Sequence, residues 1–365
     1  MQDLVLCKAR SRVSFIKATA SELYLDEAII KQDIGKLLLQ LEQLQQDQIE
    51  AATRTNETKV ELSATEKCAA RKFLKDPNLV DRILQDYDAC GLVGEETNKL
   101  VCYVACVSRR LKGPLAVLIQ SGSAAGKTSL MDATLAFVPP EDQIRYSAMT
   151  GQSLYYMGPK DLKHKILAVA EEEGVAQASY ALKLLQSDGR LRIAAAGKNQ
   201  GTGRQQTESY EVEGPVMMFL TTTAEQPDVE LQNRCLTLHV NESPQQTEAI
   251  HSRQRAAYTL EGHAAETERQ RITKLHQNAQ RLLEPLPVII PWAEQLKFRH
   301  DQTRMRRDHA KYLSLIASIT LLHQHQRPRK RRTAGGQAVE HVEATLDDME
   351  RANRLASDVL GQSLD

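Results

Sequence analysis

The chain has 365 residues, enough for two or three domains and a sizeable core. Its 41% hydrophobic and 26% charged residues are those of an ordinary soluble globular protein. Lys plus Arg (47) equals Asp plus Glu (47), so no global basic field announces a nucleic acid and any DNA contact must come from local features.

Taken in order, the apolar bursts in residues 1–18 (Leu4, Val5, Leu6; Val13, Phe15, Ile16) predict a small hairpin. Residues 21–52 turn helical, with Ile30, Ile34, Leu37, Leu41 and Leu44 as a short seam for a partner helix in this chain or a neighbouring subunit. Polar residues 53–60 read as a linker. Ser63 and Glu66 have capping-box spacing and open a helix towards Lys75, and Pro77 starts another that ends at Gly91. A third helix runs over residues 95–111. Cys102 and Cys106 lie on it without the second ligand pair of a zinc site, so buried thiols in a reducing cytosol are expected.

The stretch that organises the chain is PLAVLIQSGSAAGKTSL at 114–130. An apolar strand, a small-residue loop, Lys-Thr and a helix follow one another, which is the order of a phosphate-binding loop. Backbone N–H groups of Ser121, Gly122, Ser123, Ala124, Ala125, Gly126, Lys127, Thr128 and Ser129 and a helix N-terminus would face anionic oxygens. Lys127 is expected on the β/γ-phosphates of ATP and Thr128 on Mg²⁺. The pattern wants glycine where Ser121 stands; the glycine comes one residue later, at Gly122.

Downstream, residues 143–160 look like an insertion. Strands are expected at 166–170 and 216–220, with a helix over 179–186 between them. The first strand runs into Glu171, Glu172 and Glu173; we assign Glu171 to the metal shell and Glu172 to water activation. The second ends in Thr221, Thr222 and Thr223, and a polar side chain there is the usual hydrolysis sensor of AAA+ ATPases, placed here at Thr222 or Thr223. Arg234, in LQNRCLTL, resembles the arginine finger that ring ATPases lend to a neighbour's nucleotide. Alternating runs at 191–195 and 208–212 around GKNQGTGR predict an inserted β-hairpin whose Lys198 and Arg204 flank a tip suited to gripping a DNA backbone. Residues 245–283 and the tail from Trp292 read as helical, apart from a basic stretch at 327–332 and Gly335-Gly336; that stretch is either a DNA contact or a solvated loop. In the tail Arg307 is the first choice for a second sensor arginine and Arg304 the alternative.

These segments carry a family resemblance. YALKLLQSDGRLRIAAAG resembles the region before the sensor in the minichromosome-maintenance branch of AAA+ helicases, with superfamily 3 helicases as near relatives. IQSGSAAGKTSLMDA, LKHKILAVAEEEG and EGPVMMFLTTTAE resemble the ATPase part of bacterial mobile-element DNA primase-type proteins. The resemblance implies an α/β fold: an AAA+ P-loop ATPase core with an N-terminal helical collar and a C-terminal helical lid. The domains would be 1–60 (hairpin and long helix), 61–112 (collar), 113–245 (core with hairpin) and 246–365 (lid). With no signal peptide and no apolar run of transmembrane length, a cytoplasmic protein is expected. The resemblance implies a hexameric DNA helicase in replication, partnered with a primase activity that this polypeptide lacks, since no zinc cluster or Toprim motif is visible. On that view the chain is a fragment or the motor half of a split system. The alternatives are a AAA+ loader or regulator that remodels a protein partner without translocating, and a ring subunit that binds nucleotide without turning it over.

Overall fold

A computed structural model describes residues 15–17, 19–20, 22, 24, 26–33, 60–146, 162–170, 180–187, 189–198, 205–334 and 337–360, with the backbone alone for 192–198, 205–211, 334 and 337. The chain divides into two compact units, Met1–Glu61 and Leu62–Asp365. In the first, residues 15–17 are helical, which corrects the hairpin expected there: Phe15, Ile16 and Ala20 repeat at helical rather than alternating spacing. The remainder of that hairpin lies outside the described residues. Residues 27–33 form a helix that buries Ile30 and is capped where Ala28 N–H donates to Asp26 Oδ1 at 2.9 Å. Ile34, Leu37, Leu41 and Leu44 of the seam also lie outside the described residues.

The second unit opens with three helices, α1 (Ala64–Leu74), α2 (Leu79–Ala89) and α3 (Glu96–Ser108). The capping box forms: Ser63 Oγ accepts from Glu66 N–H at 3.3 Å, and Glu66 accepts from Ser63 N–H at 2.9 Å. Lys274 and Ser63 together hold the Glu66 carboxyl down at about 2. Next come β1 (Ala116–Gln120), α4 (Lys127–Ala136), β2 (Gln143–Tyr146), β3 (Lys165–Val169), a helical segment at 180–187, β4 (Arg190–Lys198), β5 (Gln205–Glu213), β6 (Val216–Thr222) and β7 (Leu236–Leu238). Helices α5 (Pro244–Ala257) and α6 (Leu260–Leu282) follow, then β8 (Val288–Ile289), α7 (Met305–Leu322), β9 (Lys330–Ala334), β10 (Gln337–Glu343) and α8 (Leu346–Leu360).

The central sheet is parallel, in the order β2-β3-β6-β1-β7. Its apolar strands are buried on both faces, as parallel strands flanked by helices must be. Side-chain alternation divides the core in two. Val117, Ile119, Ile166, Met217 and Phe219 face the large cluster built with α1–α4 and α6–α8. Leu118, Leu167, Val169, Met218 and Leu220 face Leu182 and Leu185 of the 180–187 helix and Leu191 and Val212 at the hairpin base. The segments expected as collar, core and lid therefore share one core cluster. α6 packs along α1, and α7 packs against α3 and α8.

Three further expectations give way to the structure. Residues 143–146 are not part of an insertion but strand β2, an edge strand whose Gln-Ile-Arg-Tyr packs through Ile144 and Tyr146 alone; residues 147–161 lie outside the described residues. The tail is not helical throughout, because β8, β10 and β9 form a second sheet. Nor is the basic stretch a solvated loop. Arg331 pairs across β9–β10 with Glu340, Lys330 Nζ meets Glu343 at 2.6 Å, and Arg327 is clamped by Asp348. Opposite charges on facing strands stabilise each other, and a single run cannot reveal its partner strand. Among the described residues no helix is long and apolar enough to cross a membrane.

Candidate nucleotide-binding site

The C-terminal end of β1 delivers the chain into the loop at 121–126 and then into α4. The loop turns through two left-handed residues, Ala124 (φ +62) and Gly126 (φ +104), and the second of these values suits glycine. Lys127 is nearly buried, and its ammonium folds back to donate to the carbonyls of Ser121, at 2.8 Å, and Gly122. No side chain caps α4, so its first N–H groups keep their capacity for an anion. Thr128 and Ser129 are exposed on that first turn. A buried ammonium, open helix N–H groups and an exposed hydroxyl at one turn fit a nucleoside polyphosphate.

Ser121, the departure from the glycine pattern, has a structural task. Its hydroxyl donates to Gln120 O at 2.6 Å and accepts from Val240 N–H at 2.8 Å. Its neighbours continue the contact: the His239 ring lies 2.9 Å from Gln120 O, and Gly122 N–H donates to Glu242 Oε1 at 3.0 Å. The 239–242 strap between β7 and α5 is tied on its other side to the start of α3, where Asn98 donates to His239 O at 2.9 Å and Asn241 N–H to Glu95 Oε1 at 2.7 Å.

The same edge of the sheet carries the polar end of β6, which lies between β1 and β3. Thr222 stands opposite Gln120 in the register. Thr221 Oγ1 donates to Ala170 O at 2.6 Å, tying β6 to the residue before Glu171. Thr222 is buried and its hydroxyl accepts from Ala224 N–H at 3.1 Å, whereas Thr223 is exposed. Gln120 reaches across to Ala224 O at 2.9 Å and Glu225 O at 3.1 Å. His239 and Glu242 escape sequence reasoning; only the fold brings residues so distant in the chain to the loop. Glu171, Glu172 and Arg204 lie outside the described residues, as does the side chain of Lys198, which sits at the end of β4.

Residues 64–282 match the MTBMA_p00010 P-loop domain family, more than half of the chain. The chain belongs to that family. The match opens at the first residue of α1 and closes at the last of α6, so the P-loop domain embraces the helices before β1 as well as the sheet. No curated protein matches the chain. Membership of a P-loop domain family supports nucleotide binding by this chain.

The arginines of the P-loop domain and its tail lie elsewhere. Arg234 follows the short helix Val229–Gln232 and precedes β7, at the sheet edge opposite the phosphate loop. Its guanidinium donates to Glu230 Oε1 at 2.8 Å and to Ser187 Oγ, and it holds the Glu230 carboxyl below its ordinary value. Arg307 shares a cleft of about 230 Å³ with Arg234, beside Pro114 and Ala116 at the start of β1. Arg304 lines a different cleft, of about 410 Å³, together with His239, and is paired with the buried Asp308 at 3.1 Å. Arg307 and Arg234 thus line one cleft, and Arg304 and His239 of the strap line another.

Proposed function

We propose that this P-loop protein is an ATP-driven AAA+ motor that assembles as a ring, with six subunits the favoured number, and moves on DNA in replication alongside a primase activity. The observation that carries this reading is the division of labour across the sheet. Lys127 and the loop occupy the C-terminal edge, while Arg234 and Arg307 occupy the N-terminal edge, beyond reach of their own loop. Such an arrangement suits subunits that complete one another's sites. The β4–β5 hairpin, inserted directly before β6, supplies a projection whose Lys198 and Arg204 would follow a phosphate backbone.

In the ATP-bound form Lys127 would hold the β/γ-phosphates and the Thr128 hydroxyl would help hold Mg²⁺. The metal supplies neutralisation of the phosphate charge and fixes its geometry. Glu171 and Glu172 keep their assigned tasks, metal and water, and Thr222 or Thr223 would sense the γ-phosphate.

The test is the ATPase rate with and without single-stranded DNA, on protein whose assembly is known by mass. Single-stranded DNA is expected to raise the rate, Lys127→Ala to abolish hydrolysis, and Lys198→Glu with Arg204→Glu to remove the stimulation while sparing the basal rate. A confirmed ring that hydrolyses ATP with indifference to DNA and to those reversals is instead a loader or regulator acting on protein.

A further inference from the structure

We propose that the outer face of α1 is a docking surface for duplex DNA, which it holds through the phosphate backbone. A groove of about 820 Å³ follows α1 into the turn before α2, lined by Lys67, Arg71, Lys72, Lys75 and Arg82. Asp76 is the one acid in its wall, and both of its carboxylate oxygens are engaged locally. Oδ1 accepts from Asn78 N–H at 2.9 Å and Oδ2 from Arg82 at 3.3 Å. Lys67, Arg71, Lys72 and Lys75 are exposed, and among the described residues none of their side chains has an ion pair or a hydrogen bond. On α6, by contrast, Arg269 and Arg271 pair with Glu266 and Glu268 at 3.0 and 2.5 Å. The whole chain balances 47 basic against 47 acidic residues, so the unmatched row on α1 is a local excess.

Helix stability explains only part of that excess. Arg71 and Lys72 lie in the last turn of α1, where cations suit the helix dipole, but Lys67 lies near the N-terminus, where they do not. The row is carried on a fixed backbone. Ala70, Phe73 and Leu74 are buried on the opposite face, Gln326 donates to Leu74 O at 3.0 Å and to Asp76 O at 2.8 Å, and Arg82 sits 5.3 Å over the Phe73 ring. From Lys67 to Lys75 the chain rises about 12 Å, a length of duplex that carries about seven phosphates. No aromatic side chain lines the groove, so splayed bases would find nothing to stack on. Ammonium and guanidinium groups in a row suit the fixed phosphate array of a closed duplex. The choice of DNA over RNA rests on the replication reading above; the groove requires neither nucleotide nor Lys198 and Arg204.

The experiment measures equilibrium binding of a short DNA duplex to the full chain without nucleotide, across a range of salt concentrations. One of its single strands, an RNA duplex of the same length and polyglutamate are the competing probes. The proteins are the wild type, a fourfold variant (Lys67→Gln, Arg71→Gln, Lys72→Gln, Lys75→Gln), Lys67→Glu alone, and Lys198→Glu with Arg204→Glu. Four phosphate contacts contribute about 3.6 to the slope of log K against log salt, so the fourfold variant should lose roughly that much slope and bind the duplex at least about tenfold more weakly at low salt. Lys67→Glu, which leaves the last turn of α1 intact, should weaken duplex binding with an unchanged melting temperature. The hairpin variant should retain the α1-dependent part. A wild type that does not bind the duplex, or a fourfold variant that binds it equally well, overturns the proposal and leaves the ATP-driven motor to its own test. Binding of the single strand, the RNA or polyglutamate through α1 as tightly as the duplex, or more so, overturns it in favour of that partner.

Discussion

Ser121 stands where a phosphate loop ordinarily has glycine, and its hydroxyl bridges Gln120 O and Val240 N–H. Restoring the pattern should therefore harm this protein. Ser121→Gly removes the acceptor for a part-buried N–H, at about 1 kcal/mol, and adds the backbone freedom of glycine, at roughly 0.5–1 kcal/mol. The expected result is a melting temperature lower by a few °C, read by differential scanning calorimetry, with nucleotide affinity weakened because the strap loosens. Ser121→Thr keeps the hydroxyl and should stay close to the wild type. An unchanged melting temperature in Ser121→Gly would show that the bridge contributes nothing. The residue is a device for joining two segments far apart in sequence rather than a damaged glycine.

Among the ties between α6 and the helices before β1 is one buried histidine. His276 Nε2 lies 2.9 Å from Asp86 of α2 and Nδ1 lies 3.0 Å from the Tyr103 hydroxyl of α3, while its ring stacks on Phe137 at 4.0 Å. Burial pushes its pKa below the ordinary value, against the pull of Asp86 and with a small contribution from Arg82. Between that depressed value and the ordinary histidine value of about 6.5, the unfolded chain takes up a proton that the folded one does not. Stability is thus full above about pH 6.5 and falls as the pH drops, by at most about 1.4 kcal/mol per pH unit for this group. Melting temperatures at pH 7.5 and 5.5 should differ, and the difference should shrink in His276→Gln; an identical difference would remove His276 from the account. Elements with a local signal were legible in the sequence: the Ser63–Glu66 box, the apolar runs of β1, β3 and β6, and the two alternating runs of the hairpin. β2 and β9 were not, because an edge strand and a charged hairpin strand lack the apolar pattern that marks burial. The strap at 239–242 falls in no predicted element; it lies just ahead of α5, which Ser243 caps by accepting from Gln246 N–H at 3.2 Å. Nothing local announces its attachment to a loop more than a hundred positions away.

At the scale of the whole molecule, the decisive feature is that the parallel sheet separates the two kinds of charged group. β1 has five residues, a span of about 16 Å, with the phosphate loop at one end and the Arg234–Arg307 cleft at the other. Arg234 is held within its own subunit by Glu230 and Ser187, so service to a neighbouring nucleotide requires an exchange of partners. A subunit with Lys127→Ala has no working loop but still presents Arg234; a subunit with Arg234→Ala has the reverse. Each variant alone should lose hydrolysis, the Arg234 variant by about 10³-fold or more if the arginine acts as a finger. Mixing the two inactive proteins should then restore activity, because some interfaces pair an intact loop with an intact arginine. The recovered rate should depend on the mixing ratio and on total concentration, passing through a maximum at an intermediate ratio. Arg307→Ala mixed with Lys127→Ala asks the same of the second arginine. If the mixtures remain as inactive as their components while both variants assemble normally, the arginines do not act across an interface, and the shared-site reading of this P-loop protein fails at its central claim.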